Sequence, residues 1–277
     1  MRRVSKFLLA VPVVLLGLVI APSSQTQGNP LGGQAVPRPN PKSAVIIDYV
    51  DSFDTHRPGH GGGGGVCTGS TMHPGNPAGH FVLIGGHWAD AIPGTPEVDP
   101  SLNFIVDLRG FPAGSQAAIE AAFDTWQAVT KGVLVGTLTN ADTEVIIGDG
   151  VNTYSMRNLG DGTVLASTFI TWDDANNNGL IDTGEQFMEM DVVHNFAVKW
   201  RTDTFTPSSK RWYDLQSTAV HEIGHVFGLD HPSGDACDKE QTLFASIASQ
   251  ETKKRTLEPN GDIPGIQSAF LEYGVAP

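Results

Sequence analysis

Basic residues and cysteines are scarce in this sequence. Only 17 Lys and Arg stand against 30 Asp and Glu, which gives a formal net charge of −13, and the two cysteines are Cys67 and Cys237. Because phosphate neutralisation requires clustered Lys and Arg, this balance excludes a large basic platform and argues against nucleic acid as a partner. Hydrophobic residues make up 40% of the 277 positions, so the chain can still build a core.

The apolar run near the N-terminus is too short to span a bilayer comfortably. It covers 7–20, which is 14 residues, follows three basic residues and precedes a group of small residues. This pattern predicts a secretory signal peptide at 1–23, with an uncleaved membrane anchor as the alternative. We therefore expect a secreted, extracellular protein with no stable membrane insertion after cleavage.

Glycine and proline are abundant, with 32 and 18 residues, and much of this composition lies before residue 80. The segment 24–79 is therefore predicted to be a Gly/Pro-rich linker or pro-segment, in which 44–50 is a short strand candidate. The remaining residues, 80–277, suffice for one domain of about 200 residues.

Apolar spacing in 80–277 predicts strands and helices. Strand candidates lie at 81–84, 102–106, 144–147, 164–171 and 187–194. Helical spacing predicts a helix capped by Ser115 and ended by Gly132, another capped by Asp214 and ended by Gly228, and a last one at 265–273. Because strands mostly precede the later helices, we expect an α+β fold with a mixed sheet.

The second predicted helix carries the pattern H-E-x-x-H-x-x-G-x-x-H from His221 to His231. His221 and His225 are one helical turn apart and can bind one ion, while Gly228 lets the chain turn so that His231 can be a third ligand. Three neutral nitrogens and an open fourth position suit a catalytic zinc. Glu222 points away from the ligand face and is placed to act as general base. A chance pair of surface histidines is the alternative, against which the five fixed positions of the pattern argue.

On these residues the chain resembles the metzincin zinc peptidases, and among them the matrixins. The resemblance rests on 214–231, on 116–126, which is similar to the family's first helix, and on 257–267, which is similar to its C-terminal signature. It implies a metzincin-like zincin domain, with a twisted mixed sheet packed on two long helices and a C-terminal helix. It also implies that substrate lies along an edge strand above the zinc, which we expect near 187–195, with His194 as a surface or substrate-contacting residue.

Two positions depart from the matrixin pattern. The family's Met-turn places a methionine beneath the zinc, and the best counterpart here is Leu243, whose comparable apolar volume is expected to preserve the floor of the site. Gly261 replaces the first Asp of a pair in the C-terminal signature. The His and Asp spacing of the structural zinc in vertebrate matrixins is not found.

The segment 174–185 independently predicts a calcium site, because it fits the twelve-position EF-hand loop with Gly179 at the sixth position. The oxygen ligands would be Asp174, Asn176, Asn178, the carbonyl of Leu180, Asp182 and Glu185. A solvated turn between strands is the alternative, since the flanking segments do not have the pattern of EF-hand helices. We favour a structural calcium ion.

Cys67 and Cys237 admit two interpretations. In a secreted protein a disulfide between them is favoured. The other is that the Cys67 thiolate occupies the open zinc position as a latency switch, although its surroundings do not match the matrixin switch motif. Two free thiols are a third possibility.

Together these patterns predict a secreted zinc endopeptidase that hydrolyses peptide bonds by a zinc-bound water, with Glu222 as general base and calcium as a structural ion. The expected partner is a protein or peptide substrate, and we expect a monomer. The alternative function is a catalytically weak or inactive secreted protein that keeps the metzincin fold as a binding or surface module, which the departure at Leu243 leaves open. A calcium-dependent adhesin without zinc is a third hypothesis.

Overall fold

The structure, a computed structural model, describes residues 45–51, 81–88, 102–130, 136–160, 162–203, 211–232 and 238–272, with 45–51 and 270–272 described as backbone. The predicted signal peptide at 1–23, most of the predicted linker, Cys67 and Cys237 lie outside the described residues. Among the described residues, every helix is too short or too polar to span a bilayer.

The described residues form strands and three α-helices, with single 3₁₀ turns at Asp238–Glu240 and Lys253–Arg255. The helices are α1 (Ser115–Gln127), α2 (Leu215–Val226) and α3 (Asp262–Glu272). The strands are β1 (Val45–Asp51), β2 (Val82–Leu83), β3 (His87–Trp88), β4 (Phe104–Val106), β5 (Leu138–Asn140), β6 (Asn152–Arg157), β7 (Val164–Trp172), β8 (Gln186–Asn195), β9 (Trp200–Arg201), β10 (Tyr213–Asp214), β11 (Leu229–Asp230) and β12 (Ser246–Ile247).

Most of these strands belong to one mixed sheet. Its order in the described residues is β12-β1-β7-β8-β6-β4-β5, with β3 paired to β8. Strands β4, β5, β6 and β8 are parallel, whereas β7 runs antiparallel to both β8 and β1. Two short pairs, β9 with β10 and β2 with β11, lie outside this sheet. The expected α+β class with a mixed sheet and a C-terminal helix is confirmed.

The sheet reaches further toward the N-terminus than the predicted domain start at residue 80. Strand β1, at the position of the strand candidate 44–50, comes from the predicted linker and pairs antiparallel with β7 from Val45 opposite Ile170 to Val50 opposite Val164. At least this part of 24–79 therefore belongs to the sheet.

Helices α1 and α2 pack against each other and against the sheet through a shared apolar core. Trp126 of α1 is fully buried, donates its indole N–H to the Val220 carbonyl of α2 at 2.8 Å, and meets the Phe227 ring edge-on with centroids 5.8 Å apart. A Cβ at Gly224 would come within 2.8 Å of Trp126 and 2.7 Å of Leu243. This close approach explains why the motif helix carries glycine at that position.

The predicted cap of α2 is confirmed, whereas that of α1 is wrong. Asp214 accepts a hydrogen bond from the backbone N–H of Ser217 at 2.8 Å, and Arg255 contributes a second one from Nε at 2.8 Å. In α1, Ser115 is the first helical residue, and its hydroxyl donates to the Pro112 carbonyl at 2.7 Å. The capping position belongs to Gly114, whose φ of 86° suits glycine.

Several predicted boundaries also differ. Helix α1 ends at Gln127 rather than near Gly132, which lies outside the described residues, and α3 begins at Asp262, ahead of the predicted 265. The predicted strand at 144–147 is wrong: this stretch is irregular, and β6 follows it at Asn152–Arg157.

Candidate metal centre and active site

Three histidine side chains converge beside the C-terminal half of α2. His221 and His225 project from one face of the helix, and Gly228, with φ of 87°, then lets the chain leave it and place His231 opposite them. Nε2 of His221 lies 3.0 Å from Nε2 of His225 and 3.0 Å from Nε2 of His231. Among the described residues this is the one cluster of three or more potential His, Cys or carboxylate ligands whose donor atoms all lie within 4.8 Å of one another.

Backbone carbonyls determine which ring nitrogens of two of these histidines carry hydrogen. Nδ1–H of His221 donates to the Thr242 carbonyl at 2.6 Å, and Nδ1–H of His225 donates to the Leu229 carbonyl at 2.7 Å. In the neutral imidazoles both Nε2 atoms therefore carry no hydrogen, and each presents a lone pair. Two such lone pairs 3.0 Å apart repel each other unless a cation lies between them. The donor set therefore fits a zinc ion, for which imidazole nitrogens are common ligands.

Burial keeps the three imidazoles neutral. It lowers the pKa of His221 well below its ordinary value, with the neighbouring His225 and His231 adding to the effect. Burial likewise lowers the pKa of His225 to about 4 and that of His231 to about 3. Neutral imidazole is the form that binds metal, so ligation at neutral pH requires no loss of a proton from these rings.

Glu222 is fully buried and contacts the neighbouring strand of the sheet. Its Oε2 accepts a hydrogen bond at 2.6 Å from the hydroxyl of Thr168 on β7. This contact holds the carboxylate of α2 against the neighbouring strand. Sequence reasoning missed Thr168, because β7 is buried along most of its length and nothing in its pattern separates Thr168 from Ser167 or Thr171.

The turn after the motif forms the floor of the site and is held by a carboxylate from α3. Leu243 is buried against Gly224, directly beneath α2. Asp262 accepts hydrogen bonds from the backbone N–H of Thr242 at 2.8 Å and of Leu243 at 3.2 Å. Since the Thr242 carbonyl in turn orients His221, Asp262 acts on the metal centre through the turn. The sequence identifies Asp262 as part of the C-terminal signature but does not indicate this role.

The structure contradicts the expected position of the edge strand. The expected edge at 187–195 corresponds to β8, which is hydrogen-bonded to β6 on one side and to β7 on the other. His194 is accordingly not a surface residue: it is fully buried, and its Nε2 lies 2.6 Å from the Tyr154 hydroxyl. Burial lowers the pKa of His194 to about 3, so its ring is neutral and has a structural role.

The predicted calcium loop is ordered by its own side chains between β7 and β8. Asp174 accepts from the backbone N–H groups of Asn178 and Gly179, each at 3.0 Å. Glu185 returns from the other end of the loop to accept from the N–H groups of Ala175 at 3.0 Å and Asp182 at 2.9 Å.

The remaining predicted ligands of this loop lie at its solvent side. Asp182 accepts from the amide groups of Asn176 at 2.7 Å and Asn178 at 2.6 Å, and Leu180 is exposed. Gly179 has a φ of 76°, which is the left-handed turn expected at the sixth position. The carbonyl of Leu180, the remaining predicted ligand, accepts from Nε1 of Trp172 at 3.1 Å.

Comparison with protein families gives one extended match. A family model described as matrixin matches residues 112–271, which is more than half of the chain and includes all three histidines and Glu222.

Two curated relatives, both from Arabidopsis thaliana, are similar over shorter stretches. Metalloendoproteinase 2-MMP is 38% identical over 89 residues, which is 32% of this chain and 21% of the relative. Metalloendoproteinase 4-MMP is 36% identical over 74 residues, which is 27% of this chain and 20% of the relative. The matched stretch therefore spans about a fifth of each relative's length.

A solved structure, that of metalloproteinase-II from Bacteroides fragilis, is also similar, at 12% identity and a TM-score of 0.36. The match covers 73% of this chain and 60% of the other. A similarity this low carries no argument about function.

Proposed function

Because this chain belongs to the matrixin family, we propose that it is a secreted zinc-dependent endopeptidase. The observation that carries the proposal is the convergence of three Nε2 atoms, 3.0 Å apart in two of the pairs, beside a buried glutamate on the same helix. His221, His225 and His231 would hold the zinc, and Glu222 would be the catalytic base.

The proposed chemistry assigns a separate task to each group. Bound zinc supplies a Lewis acid that lowers the pKa of a water toward about 7 and polarises the peptide carbonyl. The carboxylate of Glu222 accepts the proton of the attacking water and delivers it to the leaving amine. Thr168, which donates to Oε2 at 2.6 Å, holds that carboxylate in one orientation. Thr242 and Leu229 hold the imidazoles of His221 and His225 through their carbonyls.

The substitution of leucine for the Met-turn methionine does not favour the inactive alternative. Leu243 fills the space beneath Gly224, and the Thr242 carbonyl beside it still orients His221. The turn therefore still does what activity requires of it: it packs beneath α2 and orients His221.

Cleavage-site mapping tests the proposed activity directly. We expect purified protein to cut casein at internal peptide bonds, with the new termini identified by mass spectrometry. A protein that contains one equivalent of zinc and yet produces no new termini would support the alternative, a secreted binding or surface module that does not cleave.

We further propose that 174–185 binds a structural calcium ion. The support is the arrangement of its oxygens: Asp174 and Glu185, from opposite ends of the loop, are both turned inward and mostly buried. Each accepts two backbone N–H groups of the loop, and carboxylate oxygens are the ligands that calcium prefers. The loop connects β7 to β8, so an ion here would stabilise the pair of strands next to the catalytic helix.

Calcium is expected to raise the melting temperature of the wild-type protein by about 5 °C at ~10 mM, because affinity at extracellular calcium sites is modest. The Asp174→Ala variant should lose this increase. Asp173→Ala is the matched control, since Asp173 is the exposed neighbour and lies outside the twelve positions. Differential scanning calorimetry with and without calcium makes the measurement, and an equal increase in both variants would contradict the site.

The same proposal includes secretion, a signal peptide at 1–23, a linker or pro-segment in the part of 24–79 outside β1, a peptidase domain formed by 80–277 together with β1, and the Cys67–Cys237 disulfide. They rest on the sequence, namely the apolar run after basic residues and the two cysteines in a secreted context. Monomeric state and a protein or peptide substrate complete it.

A further inference from the structure

Three consecutive basic residues form the 3₁₀ turn Lys253–Arg255, and two of them have carboxylate partners. Nζ of Lys253 lies 3.7 Å from Oε2 of the exposed Glu240, and Arg255 forms a close ion pair at the cap of α2. Lys254, between them, forms no ion pair within 4.0 Å with any residue that the structure describes. The middle residue of the turn is therefore a cation without a carboxylate partner in this part of the chain.

This unpaired ammonium group is also buried. Lys254 is 2% exposed, and the one acceptor that its Nζ has among the described residues is the Ser246 carbonyl at 3.2 Å. The Phe244 ring, whose centroid is 5.2 Å away, adds a weak attraction. An ammonium group has three donors, and a buried charge without a counter-charge destabilises the fold. Two donors and the charge of Lys254 thus lack a described protein partner.

The ammonium group lies beside the metal centre. Phe244 and Ser246 belong to the segment that continues from the floor of the site, and the turn that carries Lys254 packs against α2. Burial is the main reason why the pKa of His221 and that of His231 are lowered, and the positive charge of Lys254 contributes to both shifts. The flexible four-carbon stem of lysine lets Nζ move toward a substrate that is held at this centre.

The group stays charged at neutral pH. Burial lowers the pKa of Lys254 to about 8, which still leaves most molecules protonated at pH 7. The carboxylates of Glu251, Asp262 and Glu240 raise this pKa from beyond ion-pair distance. Of these, Asp262 already accepts backbone N–H groups of the floor, and Glu240 is the partner of Lys253.

We propose that Lys254 is a specificity-determining residue, which selects peptides that carry an aspartate or glutamate side chain next to the cleaved bond. The proposal rests on the peptidase function proposed above. An acidic side chain supplies the counter-charge that Lys254 lacks, through a charge-assisted hydrogen bond. A neutral side chain at the same position leaves the buried ammonium group unpaired, and a site with an unpaired polar group discriminates more strongly than an apolar pocket does.

The charge of the whole chain opposes this preference. With a formal net charge of −13, the protein repels acidic peptides in general. Salt at physiological concentration screens that repulsion beyond about 8 Å, whereas a direct contact in a buried site is screened much less. A preference for acidic substrates would therefore indicate a local cation at the site rather than the overall field.

The test uses synthetic peptides that are otherwise neutral and carry glutamate or glutamine at each position in turn. The full secreted chain is compared with Lys254→Met, which removes the charge and the hydrogen bond, and with Lys254→Gln. Glutamine removes the charge but keeps an N–H donor for the Ser246 carbonyl. Lys253→Met is the matched control, because it removes one charge from the same turn at a side chain that is 76% exposed.

The wild type and Lys253→Met are expected to prefer glutamate over glutamine by about tenfold in kcat/KM at one position flanking the cleaved bond. The difference should lie mainly in KM, because this contact is equally strong in the ground state and the transition state. Both Lys254 variants should lose it. Equal rates on the two peptides by the wild type, or a preference that persists in either Lys254 variant, would overturn the proposal.

Folding of the variants provides a further check. Since an unpaired buried ammonium group destabilises the native state, both Lys254 variants should melt at or above the temperature of the wild type. If neither variant folds, Lys254 is a structural residue and the proposal fails.

Binding separates this proposal from the peptidase function. Fluorescence polarisation of the labelled glutamate and glutamine peptides measures affinity without requiring cleavage. If no peptide is cleaved, the peptidase function fails, while about tenfold tighter binding of the glutamate peptide by the wild type, absent in both Lys254 variants, would still support the role of Lys254. Cleavage of both peptides at equal rates would leave the peptidase function standing and overturn the role of Lys254.

Discussion

Replacement of Glu222 by glutamine is expected to lower kcat/KM for peptide hydrolysis by about 10²–10⁴-fold, which is the usual contribution of a positioned general base. Glutamine has nearly the same shape, and its amide oxygen can still accept the hydrogen bond from Thr168. It cannot take a proton at neutral pH, so the attacking water loses its base. The measurement is steady-state hydrolysis of a fluorogenic peptide by both proteins at the same concentration.

Two controls separate this loss from structural damage. Zinc content by elemental analysis and the melting temperature should match those of the wild type, because Glu222 is not among the converging donor atoms. The Glu240→Gln variant makes the same chemical change at an exposed glutamate and should keep full activity. A Glu222→Gln protein that cleaves as fast as the wild type would assign the proton transfer to another group or to none.

The motif helix is the part of the fold that the sequence predicts best, because local signals agree there. Asp214 caps it, apolar residues recur at helical spacing, and Gly228 has the positive φ that a helix end favours. The histidine spacing on one helix then determines the metal site almost without reference to the rest of the chain. Only the position of His231 depends on residues outside the helix. The short segment between Gly228 and His231 limits the positions that this side chain can reach.

The strand predictions failed where long-range contacts replace local pattern. The apolar residues Ile146 and Ile147 predict a strand, yet both are exposed. The loop that contains them is held by the buried carboxylate of Glu189, which accepts hydrogen bonds from the backbone N–H groups of Gly148 and Gly150. No local signal indicates that a distant glutamate satisfies these backbone groups.

Strand β6 was missed for the complementary reason. Its sequence is mostly polar, but Thr153 and Ser155 are buried, and Asp191 of β8 accepts the Thr153 backbone N–H at 3.0 Å. Because these polar residues are buried, the sequence lacks the alternation of apolar and polar residues that predicts a strand. The order of strands in the sheet is equally invisible, which is why β8 was expected at the edge while the structure puts it in the middle.

The same limit applies to the residues that support the metal centre. The proposed ligands His221, His225 and His231 and the proposed base Glu222 follow from spacing. The groups that orient Glu222, His225 and His221 come from other segments: Thr168 on β7, the carbonyl of Leu229, and the carbonyl of Thr242, whose turn is held by Asp262 on α3. Their roles depend on tertiary contacts over as many as 54 residues of sequence separation. A motif therefore identifies the chemistry, while the orientation of its groups is a property of the folded chain.

Removal of zinc is expected to abolish peptide hydrolysis and to destabilise the fold at the same time. Loss of activity is expected because Glu222 can act as a base, but without zinc no Lewis acid polarises the peptide carbonyl. Loss of stability follows from the geometry of His221 and His225, whose Nε2 lone pairs lie 3.0 Å apart while both Nδ1–H groups are committed to backbone carbonyls. Without a cation these lone pairs repel each other, and the rings must move.

The expected size of the stability change comes from linkage. A metal present at 1,000 times its dissociation constant stabilises the native state by about 4.1 kcal/mol, which corresponds to an increase in melting temperature of roughly 10 °C for a domain of this size. Calorimetry of the chelated protein, before and after one equivalent of zinc is added back, measures it. Because calcium is chelated as well, the buffer must contain calcium throughout and the chelator must be zinc-selective.

A ligand variant separates metal loss from a direct effect of the chelator. His231→Ala removes the one ligand that lies outside α2, so the helix and its two remaining histidines keep their backbone contacts. This variant should resemble the chelated wild type in both activity and melting temperature, and added zinc should restore neither. A chelated wild type that keeps its activity, or a His231→Ala protein that binds zinc as tightly as the wild type, would contradict the three-histidine site.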